Sequence, residues 1–124
     1  MDESIINEVW NKAIVVNGFD LNLIRKDCCG AWIMKSEYGN RSSKYGWEID
    51  HVYPLAKGGD DTDINLRPMH WENNDSKNID YPVYKAVIQA DGNDNIHTEK
   101  QYQVNENLRQ KLDSLYKQRT DENR

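Results

Sequence analysis

Apolar positions recur at helical spacing at both ends of the chain and at strand spacing in the middle. Ile6, Val9, Trp10, Ala13 and Val16 predict an amphipathic helix over residues 4–16, with Ser4 as its cap and Asn17-Gly18 as its stop. Residues 19–27 read as a connector anchored by Leu21, Leu23 and Ile24, and residues 31–34 as a short extended run. Residues 38–43 are polar and turn-rich. Residues 45–53 predict a strand marked by Trp47, Ile49 and Val52 and ended by Pro54. Gly58-Gly59-Asp60-Asp61 is a turn signal, followed by a second extended piece at Ile64, Leu66 and Met69 that Pro68 interrupts. Residues 70–78 predict one or two helical turns. Two further strands, 83–90 and 95–104, flank the turn cluster at 91–94 and predict a β-hairpin. Leu108, Leu112, Leu115 and Tyr116 then mark a helix over 105–118, capped by Asn105, with residues 120–124 expected to fray.

Composition bounds what these elements build. A chain of 124 residues suits one domain. It buries roughly two-thirds of its unfolded surface and needs no disulfide staple. No apolar run is long enough to span a membrane. The N-terminus is acidic and has no basic stretch before an apolar one, so no secretory signal is expected and the expected compartment is cytoplasmic. Cys28 and Cys29 are adjacent and no C-x-x-C occurs, which argues against a cysteine-held structural zinc; one of the two thiols is expected to be a small buried apolar group.

Charge complicates any nucleic-acid reading. The formal net charge is -5, whereas a protein that only coats phosphate backbones is basic. The balance is uneven: residues 24–57 carry six basic and four acidic side chains, residues 58–80 two basic and six acidic ones. Such a chain needs a local site rather than a global field.

The candidate chemistry gathers at Asp50-His51, Asn65-Leu66 and Asn73-Asn74 with Lys77. Phosphodiester hydrolysis requires a base to take a proton from water, and His titrates near neutral pH. It also requires charge stabilisation at the phosphate oxygens, which a divalent ion supplies. A carboxylate and an amide carbonyl are hard oxygen ligands that suit Mg²⁺. Period two sends Asp50 and His51 to opposite faces of their strand. Asn65 either accepts from the His51 ring or holds its backbone, and Asn74 supplies a second ligand. Asp60, Asp61 and Asp63 read as a solvated loop, His70 as structural, and Asn73 as a rival to Asn74.

The stretch WEIDHVYPLAKGGDDTDINLRPMHWENNDSK resembles the HNH endonuclease family. That family has an Asp-His pair, a Gly-Gly turn, an Asn-Leu and an Asn with Lys three residues on. The resemblance is close over about thirty residues and loose over about 28–80. It implies a ββα-metal core and DNA cleavage. It assigns His51 as general base, Asp50 and Asn74 as ligands of one Mg²⁺ (or another divalent ion such as Mn²⁺), and Asn65 as the residue that orients His51. Arg41, Lys44 and Lys77 are the expected phosphate contacts. Many family members carry two C-x-x-C pairs that hold a bracing zinc. Here His70 and Asn73 stand at the second pair's positions, so no structural zinc is expected and Trp32, Trp47 and Trp71 are the expected braces.

The expected architecture is α+β in one domain: a ββα-metal core flanked by an N-terminal helix, with a C-terminal hairpin and helix over about 81–120. The expected partner is DNA, with a homodimer or a larger complex as the route to specificity. The rival expectation is a catalytically inactive module of the same fold that binds nucleic acid or protein, or a nuclease subunit of a larger complex.

Overall fold

The computed structural model describes the backbone of residues 1–122 and the side chains of residues 1–117. Among them are three α-helices, α1 (Glu3–Trp10), α2 (Trp71–Lys77) and α3 (Glu106–Glu122). Six strands form three antiparallel pairs: β1 (Ile24–Lys26) with β2 (Trp32–Met34), β3 (Trp47–His51) with β4 (Leu66–His70), and β5 (Val83–Asp91) with β6 (Asp94–Gln103). The protein is a small α+β domain. None of the described helices is long and apolar enough to cross a membrane.

The N-terminal helix is shorter than its apolar stripe predicts. It ends at Trp10 because the following residues take other partners: Ile14 exchanges both backbone hydrogen bonds with Lys26, at 2.8 and 3.0 Å. β-Branched residues at 14–16 accept extended geometry readily. The cap is Asp2, not Ser4; Asp2 Oδ1 accepts from the Ile5 amide and from the Ser4 hydroxyl. The connector contains the short strand β1, which periodicity alone does not separate from a loop.

The central pair β3–β4 divides the core. Alternation along β3 and β4 turns Trp47 and Leu66 toward α1, where they pack with Val9, Trp10, Ala13 and Ile33. The opposite face carries Met69, which joins Val52, Tyr53, Tyr84, Ala86, Leu112 and Tyr116 beneath the hairpin and α3. Trp47 is fully buried and meets Trp10 with ring centroids 5.4 Å apart, so two tryptophans brace the first cluster. Trp71 sits at the start of α2, its indole N–H donating to the Ser43 carbonyl. Trp32 is buried apart from both, against Phe19. Cys29 is the buried thiol and Cys28 the exposed one.

The hairpin and last helix follow their sequence signals. Asp91 pairs with Asp94 across a two-residue turn, and Gly92 supplies the positive φ of 60° that such a turn demands. Asn105 Oδ1 accepts from the Asn107 and Leu108 amides and caps α3. The helix extends to Glu122; Asn123 and Arg124, part of the stretch expected to fray, lie outside the described residues.

Two buried polar side chains lock these units together. Asp27 accepts from the Cys29 and Ala31 amides through Oδ1, and from the His70 amide and Asn73 Nδ2 through Oδ2. Asn73 also accepts from the Val87 and Ile88 amides, which seats β5 on α2. Each buried polar atom here has a partner, which is the condition for tolerating it in a core.

Candidate active site

Asp50 and His51 are the last two residues of β3 and face opposite sides of it. Their ladder partners on β4 are Arg67 and Leu66. Beyond Trp47, whose backbone meets Tyr38, β3 has no second neighbouring strand among the described residues, so its edge is open. The short helix α2 packs over the Asp50 face. A depression of about 280 Å³ forms along this edge, and Asp50, His51 and Asn74 all line it, with Pro54, Asn78 and Ile79 at its rim. Three of the four residues assigned to catalysis or metal binding thus share one concavity.

The fourth acts from behind. Asn65 is fully buried and does not touch the His51 ring. Its Oδ1 accepts from the Tyr53 amide at 2.7 Å, and its Nδ2 donates to the Tyr53 and Asp60 carbonyls at 3.0 Å each. Its own carbonyl accepts from the Val52 amide. Asn65 bonds neither the ring nor the backbone of His51; it clamps Tyr53, two residues on, and so fixes the chain that leaves β3. The Gly-Gly turn completes this loop. Gly58 adopts φ +105°, and a Cβ on Gly59 would lie 1.9 Å from the Tyr53 carbonyl oxygen and 3.0 Å from Asn65 Nδ2. Only glycine lets the loop come this close.

The loop then returns a carboxylate to the imidazole. His51 Nε2 lies 2.7 Å from Asp61 Oδ1. An ionised carboxylate only accepts, so Nε2 carries the proton and Nδ1 remains the basic nitrogen. Asp61 is 68% exposed at its side chain, His51 21%. Asp61 lies in the exposed loop expected of it, and its carboxylate also meets the His51 ring, a contact the sequence does not signal directly. Its only signal is the Gly-Gly turn just before it. Tyr116 on α3 donates to Asp60 Oδ1 at 2.6 Å and ties the same loop to the core.

The Asp50 side is different in kind. Asp50 is 2% exposed. Its Oδ2 accepts from Arg67 Nε at 2.9 Å and its Oδ1 lies 3.2 Å from Lys77 Nζ. Both cations also lie over the Tyr84 ring, at 5.2 and 6.0 Å from its centroid. Lys77 is fully buried, and its ammonium also donates to the His51 carbonyl at 3.3 Å. Burial pushes its pKa down, with Asp50 holding it up in part. The expectation of Lys77 as a phosphate contact is therefore corrected: its stem spends itself crossing the core to reach Asp50.

Arg41 and Lys44 lie outside the depression and are already paired. Arg41 bonds Glu48 through Nε and Nη2 and Asp75 through Nη1 and Nη2, at 2.8 to 2.9 Å. Lys44 pairs with Asp94 at the hairpin tip. Glu48 in turn accepts from Asn74 Nδ2 at 3.1 Å, which orients the Asn74 amide. Asn73 is fully buried and committed to β5 and Asp27, so the side chain that reaches the depression is Asn74. His70 accepts from the Glu72 amide and bonds the Lys44 carbonyl, while Asn73 holds β5.

The donor chemistry at the depression fits a hard divalent ion: one carboxylate and one amide, with room for water. The opposing observation is that both Asp50 oxygens already serve cations. No group of three or more His, Cys, Asp or Glu side chains converges as a metal cage among the described residues. An ion here would rely on Asp50, Asn74, water and substrate. No protein-family model, curated protein or solved structure matches the chain.

Proposed function

We propose that the chain is a metal-dependent endonuclease of the HNH type, acting on DNA in the cytoplasm. The observation that carries this reading is the convergence of Asp50, His51 and Asn74 on one depression at an open strand edge. His51 takes the proton from the attacking water through Nδ1. Asp61, bonded to Nε2, holds the ring in that tautomer and stabilises the imidazolium that forms. Asn65 keeps the backbone after His51 in place by clamping Tyr53. Asp50 and Asn74 hold Mg²⁺ or Mn²⁺, which when bound offsets charge on the phosphate oxygens and leaving group. Arg41 is the exposed cation nearest in connectivity, since Glu48 links it to Asn74; it contacts phosphate by exchanging Asp75. The net negative charge weakens long-range attraction to DNA and makes binding depend on such local contacts.

A second reading, a binding module with the same fold, draws on the double engagement of Asp50 by Arg67 and Lys77. Nicking of supercoiled plasmid with Mg²⁺, Mn²⁺ or EDTA separates the two. The expected result is metal-dependent nicking that His51→Ala lowers by about 10²–10⁴-fold with its unfolding midpoint unchanged. Nicking by that variant at the wild-type rate overturns the assignment of the base, and no nicking with any metal favours the binding module.

A further inference from the structure

Two cations share the one carboxylate of Asp50, and the Cys28 thiol, whose pKa is lowered by the Cys29 thiol and by Arg67, is another group that acts on them. Arg67 and Lys77 meet the two oxygens of a single buried Asp50. Glu48, the nearest acidic neighbour on β3, is taken by Arg41 and Asn74. Arg67 lies directly across the ladder and is 14% exposed at its side chain. Lys77 comes from the last turn of α2 and is wholly enclosed. Burying an ammonium is costly unless a counter-charge and hydrogen-bond acceptors compensate it, and here Asp50 and the His51 carbonyl are those partners.

We infer that Lys77 is a resident cation, standing in for the divalent ion at Asp50 and setting how tightly the site takes metal. The inference rests on the proposed metal site and concerns its regulation. Three observations support it. Lys77 Nζ lies against the carboxylate of Asp50, a residue that lines the depression, so any ion reaching that carboxylate meets a fixed positive charge. The ammonium also bonds the His51 carbonyl, so it ties the backbone that carries the proposed base and ligand to α2. Arg67 still pairs with Asp50 when Lys77 is replaced by a neutral residue, so the substitution does not orphan the carboxylate. Lys77 is thus a positioning and affinity-setting residue, outside the reacting groups.

The test measures Mn²⁺ binding by calorimetry and thermal unfolding with EDTA or Mn²⁺, on the full chain. Removing one buried like charge in Lys77→Met is expected to tighten Mn²⁺ binding about tenfold or more, and to make the unfolding temperature far more responsive to Mn²⁺ than in wild type. Lys77→Arg, which keeps the charge, is expected to show neither gain. If Lys77→Met is unfolded in EDTA, Lys77→Gln, which is neutral but keeps an N–H donor, is measured too; recovery of either fold by Mn²⁺ supports the inference. Equal Mn²⁺ affinity in wild type and Lys77→Met overturns it, as does a fold lost in both neutral variants whether or not Mn²⁺ is present. Asp50→Asn tells the two levels apart. If it abolishes binding while Lys77→Met leaves affinity unchanged, the metal site stands and the resident cation falls. If Mn²⁺ binding is absent throughout or insensitive to Asp50→Asn, the metal site itself falls.

Discussion

Asp50 and His51 are neighbours in the chain, yet their surroundings are opposites. His51 meets one carboxylate on a loop that is largely exposed. Asp50 meets two cations inside the core, one of them wholly enclosed. The first pair is screened by water and adds little to stability, so its worth lies in orienting a ring. The second operates in a low-dielectric interior, where each charge depends on the others and removal of one exposes the rest. One strand therefore carries a water-screened ion pair on one side and a buried charge cluster on the other.

Substitutions on the two sides should separate accordingly. The largest effect is expected from Asp50→Ala, which leaves Arg67 and Lys77 buried together without their anion; a loss of about 3–5 kcal/mol in urea denaturation is expected. A loss under 1 kcal/mol would show that the cluster is wetter and looser than its geometry. Next comes Asn65→Ala, which leaves both backbone groups of Tyr53 without their side-chain partner. It should cost about 2–3 kcal/mol by the same measurement, and should lower nicking because the chain after His51 is no longer clamped. The smallest stability effect belongs to Asp61→Ala, below about 1 kcal/mol, because its carboxylate is mostly in water. Its nicking rate should nonetheless fall about tenfold, since the ring loses the partner that sets its tautomer. An Asp61 variant with full activity would break the comparison, leaving His51 positioned by its backbone alone.

Much of the frame was legible. The Gly-Gly turn, the Pro-ended strand and the two-residue hairpin are signals of backbone geometry, and geometry of that kind is local. Ser4 and residues 14–16 show the limit. Ser4 reads as the cap and residues 14–16 as the end of the helix, but Asp2 accepts from the Ile5 amide and Lys26 claims the backbone of Ile14. The roles of Lys77, Asn73 and Asp61 were illegible for another reason. Lys77 looks like a surface charge at a helix end, and only the packing of α2 over β3 drives it inward. Asn73 and Asn74 are adjacent and identical; the rotation of α2 alone sends one to β5 and the other to the depression. Asp61 gains meaning because the loop folds back over its own strand.

The sequence by itself determined the order of elements, the open turn chemistry and the identity of the groups able to accept protons or hold a hard ion. Those properties belong to single residues or to short stretches whose backbone preferences are set by neighbours. Which charge is buried, which asparagine faces the depression and which carboxylate meets the imidazole were decided by tertiary structure alone. Hydrogen bonding and charge pairing act through space, and the distances that govern them exist only once β3, β4 and α2 have packed.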